Sequence, residues 1–132
     1  MGFEEIPHTA DWAVRVWAED LPALLAESAR AMDSLAGVVI ATEPRTLTTV
    51  TLEAIDRESI LIAFLSELLF LEEHEHLAFD RFKFRMGRQR AAIDMEGGPI
   101  ISYHKAIKAV TWHDLKIEET SRGLEVRIVF DV

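Results

Sequence analysis

The 132-residue chain contains no cysteine. That excludes disulfide frameworks, thiolate nucleophiles, Cys-type zinc sites and iron–sulfur clusters together. No window approaches the run of about 18 apolar residues that a membrane-spanning helix needs. The opening MGFEEIPHTADW has early acids and no apolar centre, so neither a signal peptide nor a transit peptide is expected. These absences make a cytoplasmic location the expectation. A phosphate-binding glycine loop is also missing, because Gly97-Gly98-Pro99 has neither the spacing nor the Lys-Ser/Thr of a P-loop. Glu72-Glu73-His74-Glu75-His76 is not HExxH, and residues i and i+2 on a helix face different ways, so a solvated helix end is the better reading than a zinc site. No Ser–His–Asp combination stands out above chance.

What is present suits a core. Hydrophobic residues make up 49% of the chain and charged residues 28%, a balance that excludes wholesale disorder. A chain of this length buries about two-thirds of its unfolded surface, and one domain over residues 1–132 is expected. The net charge of −9 is unevenly placed: residues 1–80 carry 4 basic against 16 acidic groups, residues 81–132 carry 10 against 7. An acidic chain repels a phosphate backbone unless it offers a local basic face, so a protein partner is the first expectation.

Periodicity supplies the elements. Trp12 to Trp17 alternates as a strand, with Trp12, Val14 and Val16 inward. Asp20 and Pro22 mark a helix start. Leu21, Leu24, Leu25, Ser28, Ala29, Met32 and Leu35 follow at helical spacing, and Gly37 stops the run. Thr42–Arg45 reads as a loop and Thr46–Ala54 as a β-branched strand. Asp56 caps a second helix from Arg57 to about His74, more deeply buried than the first. Phe82, Phe84 and Met86 alternate with Arg81, Lys83 and Arg85, and after a turn at Gly87-Arg88 they are answered by Ala91, Ile93 and Met95. That is a hairpin with one apolar and one basic face. Gly97–Pro99 reads as a loop, Ala109–Glu118 as a strand, Ser121–Gly123 as a turn, and Leu124–Val132 as a last strand with Val126, Ile128 and Phe130 inward. Two helices packed on a mostly antiparallel sheet make a two-layer α+β domain.

Three stretches interrupt this pattern with polar groups. Pro7-His8-Thr9-Ala10-Asp11 separates two strand-like runs, and its plain reading is a turn bonded by its own side chains. Lys105-Ala-Ile-Lys108-Ala-Val-Thr111-Trp-His113 places a cation and an imidazole within one segment, a combination suited to phosphate contact or acid–base work; the plain reading is an edge strand. Phe130-Asp131-Val132 ends the sequence inside a strand, so the Asp131 carboxylate and the Val132 terminus form a pair of hard oxygen ligands suited to Mg²⁺ or Ca²⁺. Two such groups do not fill a coordination shell, and a third, such as Asp11, would complete the argument.

Taken together, HTAD, the KAVTWH run and the FDV end resemble the archease family, and the likeness extends through both helices to essentially the whole chain. The resemblance implies a small cytoplasmic activator of the RNA ligase that joins 2′,3′-cyclic phosphate or 3′-phosphate ends to 5′-hydroxyl ends. Such a protein promotes guanylylation of the ligase, supports multiple turnover and broadens nucleotide use, in tRNA splicing or RNA repair, without making the bond itself. A guanine nucleotide would be present in the complex. The implied fold is a two-layer α+β domain related to strand–helix–strand–strand modules. By motif, Asp11, Asp131 and Val132 would hold a divalent cation, calcium first, with magnesium or manganese as alternatives. Lys108, His113 and His8 would contact the partner or a phosphate. Trp112 stands where the family has tyrosine, and Trp12 follows HTAD where the family has a smaller residue. Two other classes compete: a metal-dependent enzyme acting on a nucleotide, and a general protein-binding or chaperone-like module.

Overall fold

The computed structural model describes residues 1–6 and 12–132. The elements in chain order are β1 (Gly2–Ile6), β2 (Trp12–Ala18), α1 (Leu21–Ala36), β3 (Val39–Ile40), β4 (Thr46–Glu53), α2 (Arg57–Glu75), β5 (Leu77–Gly87), β6 (Arg90–Ser102), β7 (Ala109–Val110), β8 (Glu118–Thr120) and β9 (Gly123–Asp131). Every strand pairing is antiparallel. Two helices on antiparallel strands are the expected α+β fold, but the strands divide into two sheets. One runs β1-β2-β9-β7 with β8 also on β9. The other runs β3-β6-β4 with β5 also on β6.

The helices begin and end where their sequence signals lie. The Asp20 carboxylate accepts the Ala23 N–H at 2.9 Å and caps α1, while the Asp56 carboxylate accepts the Ser59 N–H at 2.7 Å and caps α2. The Ser59 hydroxyl, which donates to the same carboxylate at 2.6 Å, and the Ser59 N–H together hold the Asp56 carboxyl below its usual range. Gly37 ends α1 in the left-handed conformation with φ 70°. A Cβ there would lie 2.0 Å from the His104 ring, so only glycine fits on both counts. Core-facing residues of α1, α2 and both sheets join in one apolar cluster. Phe64 of α2 is fully buried at its centre, with edge-on contacts to Phe82 and Phe84 at 5.4 and 5.6 Å between ring centroids. As the alternation predicts, Val14, Val16, Val126, Ile128 and Phe130 are buried.

Four expectations need correction. Helix α2 is not the more deeply buried of the two: eight residues of α1 are buried against five of the longer α2. Gly97–Pro99 is strand, not loop: it lies inside β6, where Gly97 pairs with Phe79. Here glycine serves close approach, because a Cβ on Gly97 would sit 1.9 Å from the Ala78 carbonyl oxygen. The ladder shifts register between Phe79 and Arg81, which leaves Asp80 as the extra residue of a bulge. Ala109–Glu118 is not one strand. It contains β7, then a turn with Asp114 at φ 53°, then β8. The intervening Ile117 is buried and is held by the first turn of α2: its N–H donates to Glu58 Oε2 at 2.9 Å, and its carbonyl accepts from Arg57 Nη2 at 3.3 Å. Finally, Met86 is 42% exposed and not part of an inner apolar face.

Two substitutions measure this packing. Phe64→Ala is expected to lower unfolding free energy in denaturant titrations by about 3–5 kcal/mol, the range for a buried aromatic truncated in a tight core. Gly97→Ala is expected to destabilise the fold although it adds one methyl group, because the obstacle at 1.9 Å is backbone and cannot swing aside.

Candidate functional site

The two motif segments within the described residues meet at the C-terminal end of β9. Ala109 pairs with Asp131 and Val110 with Phe130, and the Lys108 N–H donates to the Asp131 carbonyl at 2.8 Å. On the other edge of β9, Trp12 pairs with Phe130. β9 is therefore gripped on both edges where the FDV sequence lies. His8 and Asp11 lie outside the described residues. Among the described residues, no group of three histidine or acidic side chains converges as a metal site.

Alternation along β9 separates the side chains. Val126, Ile128 and Phe130 turn into the core, which places Arg127, Val129 and Asp131 on the opposite face. Asp131 is exposed, and Val132 is half-buried against the core cluster. The exposed Asp131 carboxylate supplies hard oxygen donors, which fit calcium or magnesium better than zinc. Lys108 instead lines a groove on the helix side. Lys108 and Asp131 are thus joined through backbone, while their side chains serve different surfaces.

His113 is exposed in the turn after β7. Its Nε2 lies 3.3 Å from Asp114 Oδ2, which also accepts from Arg127 Nη1 at 3.2 Å. The imidazole thus lies beside the Asp114–Arg127 pair, in a turn that also leaves Trp112 58% exposed.

The groove has a volume of about 680 Å³ and opens between the C-terminal half of α2 and residues 100–108. The second wall is fixed by backbone: the His104 and Lys105 N–H groups both donate to the Ala36 carbonyl at the end of α1, and the Ile100 N–H donates to the His76 carbonyl at 2.9 Å. Leu69, Tyr103 and Ile107 give the groove apolar surface, and Glu72, Glu73, Lys105 and Lys108 give it charge. Lys105 directs its Nζ toward the face of Trp12, 5.9 Å from the ring centroid, a cation–π arrangement.

Sequence reading missed the groove's acidic wall. Asp33 of α1 and Glu72 of α2 bring their carboxyl groups into contact, and Asp33 Oδ1 is buried with no hydrogen-bond partner. Burial raises both pKa values above the ordinary carboxylate range, and for Glu72 the negative charge of Asp33 adds to the effect. Two carboxyls in contact without a cation are most stable with a proton between them. Nothing in the local sequence marks either residue, since each is one acid among many on an amphipathic helix.

The basic face expected on the hairpin is largely neutralised. Arg85 pairs with Asp94 across the β5–β6 ladder, Arg81 lies 3.9 Å from Glu96, and Arg90 lies 3.3 Å from Glu53 of β4. Arg45 joins Asp80 and Glu96 beside them. Arg85 and Thr49 hold the Asp94 carboxyl below its usual range. Among the described residues, Asp131 at the end of β9 and Lys108 in the adjoining groove carry charge that is in no such pair.

The motif residues within the described chain thus gather at one strand end of an α+β domain, and no described helix is long and apolar enough to cross a membrane. The sequence model of the Archease protein family (MTH1598/TM1083) matches residues 3–132. Protein archease of Methanopyrus kandleri is 32% identical, with 100% of each chain covered. Protein archease of Thermococcus gammatolerans is 30% identical, covering 92% of this chain and 91% of its own. Among solved structures, the Thermotoga maritima protein described as an archease and possible chaperone superposes with TM-score 0.73 at 26% identity, covering 98% of this chain and 96% of its own. Protein 1598 of Methanobacterium thermoautotrophicum shares the fold, with TM-score 0.74 at 24% identity and 99% of each chain covered. The chain belongs to the archease family.

The carboxyl pair has a pH signature. Because both folded-state pKa values are raised, the folded chain keeps a proton that the unfolded chain releases above about pH 4. Its stability contribution is complete below that value and is lost as pH rises. Melting temperature is therefore expected to fall between about pH 5 and about pH 8, and Glu72→Gln, which keeps a donor beside Asp33, is expected to flatten that slope and raise the melting temperature at the upper end. Thermal unfolding across the range measures both.

Proposed function

We propose that the protein activates an RNA ligase that joins 3′-phosphate or 2′,3′-cyclic phosphate ends to 5′-hydroxyl ends, acting as a protein cofactor in the cytoplasm and not as the bond-making enzyme. The observation that carries this reading is the meeting of the KAVTWH and FDV segments at one end of β9, where Lys108 is hydrogen-bonded through its backbone to Asp131. Together with HTAD, these are the segments whose order and spacing carry the likeness to archeases.

In this reading Asp131 and Val132, with Asp11, hold a divalent cation, calcium in the first instance. Bound there, the ion would supply a compact positive charge able to neutralise phosphate oxygens. Lys108, on the groove side, offers an ammonium to a phosphate or to a carboxylate of the ligase. His113, next to Asp114, presents an exposed imidazole beside the exposed Trp112. The acidic first half of the chain favours approach to a basic surface, so charge would align the two proteins before contact. A guanine nucleotide bound by the ligase is the natural recipient of these groups.

The test is joined RNA per ligase over time, with the protein limiting. Wild-type protein is expected to convert single turnover to multiple turnover. Asp131→Asn and Lys108→Ala are each expected to reduce that activation at least tenfold while leaving thermal unfolding unchanged. Asp131→Asn should also weaken calcium binding in calorimetry, whereas Lys108→Ala should not. Full activation by both variants would return the protein to the class of general binding modules.

A further inference from the structure

The groove beside α2 has a charge defect that this chain does not repair. Glu72 lines its wall, and behind Glu72 the Asp33 carboxyl is enclosed with Oδ1 unpartnered. Asp80 of β5 adds a third negative charge near Asp33. The neighbouring cations leave Glu72 and Glu73 unpaired, Lys108 among them although it lines the same groove. Arg45 bonds Asp80 and Glu96, and Lys105 turns toward Trp12. Among the described residues, no lysine or arginine lies within ion-pair distance of Glu72 or Glu73.

The rest of the groove limits what can enter. Leu69, Ile107 and Tyr103 line it with apolar surface, and Tyr103 and Ile101 are 57% and 65% exposed at its mouth. An occupant therefore needs a slender apolar stem and a cationic tip. Arginine provides both, and its planar guanidinium matches a carboxylate with two parallel hydrogen bonds. A free inorganic cation has no use for the apolar walls.

We propose that this groove is the docking pocket for an arginine side chain of a protein partner, its guanidinium bonding the Glu72 carboxylate and its stem packing between Leu69 and Ile107. The first 80 residues carry 4 basic against 16 acidic groups, so the partner surface that fits is basic around that arginine. The inference rests on the ligase reading only for the identity of that partner.

The direct test uses the full-length ¹⁵N-labelled protein at neutral pH, with N-acetyl-arginine amide as probe and N-acetyl-citrulline amide as its uncharged isostere. The arginine probe is expected to shift the amide resonances of Leu69, Glu72 and Ile107 saturably, and the citrulline probe is expected to leave them in place. Glu72→Gln should weaken the response at least tenfold. Asp33→Asn, which keeps the Glu72 charge, should retain it and guards against loss through misfolding. An equal response to both probes, or one indifferent to Glu72→Gln, overturns the proposal. Saturation of the same resonances by spermidine at a tenfold lower concentration also overturns it, in favour of a free polyamine. A second arm measures affinity for the ligase, where Glu72→Gln is expected to weaken binding at least tenfold. If wild-type protein binds no ligase while the arginine response stands, the ligase reading falls and the pocket remains.

Discussion

The double grip on β9 is the constraint from which the rest of the site follows. β2 holds one edge along seven residue pairs, from Trp12–Phe130 to Ala18–Leu124, while β7 and β8 hold the other edge at its two ends. A strand end held on one side frays, and its carboxylates then sample many positions. Held on both sides, Phe130 is buried and Asp131 has a defined neighbour in Ala109. The polar groups of the motif can therefore be preorganised without any of them being buried, and the core supplies the rigidity.

The same strand divides the chemistry. Its alternation sends Asp131 to one face and the adjoining Lys108 to the groove on the other. Hard oxygen donors and an ammonium group close in sequence are thus kept from neutralising one another. A similar economy holds at the groove, where α1 and α2 each contribute one carboxyl to a contact that neither helix needs for its own stability. Burying such a pair costs folding free energy. The cost is tolerated in a core otherwise filled by Phe64, Leu61, Leu65 and their neighbours.

Much of this was legible in the sequence, and the failures have physical causes. Helices α1 and α2 were readable because Asp20, Gly37 and Asp56 act locally, on backbone groups a few residues away. The inward faces of β2 and β9 were readable because a period of two needs only one buried side. Gly97–Pro99 misled because glycine and proline ordinarily mark turns, whereas here Gly97 answers a carbonyl on another strand. The segment after β7 misled because Ile117 leaves the strand direction to meet Arg57 and Glu58, a contact distant in sequence. The hairpin's basic stripe was correctly seen, but its acids lie on the partner strands, so its neutralisation was not. Of the candidate site, Lys108, His113, Asp131 and Val132 were located by motif. Asp33 and Glu72 were invisible because their significance lies only in facing each other.

The close approach at Gly97 bears on which pairing the β5–β6 hairpin can adopt. A slip of two residues would keep every side chain on its proper face, so hydrophobic alternation alone does not forbid it. It would, however, bring Met95 or Pro99 to the place where the Ala78 carbonyl leaves room only for a hydrogen atom. Both carry a Cβ. One missing methyl group thus acts as a key cut for a single alignment, and it sets the ladder of β4, β5 and β6 to one register in which Asp80, Asp94 and Glu96 meet their arginines.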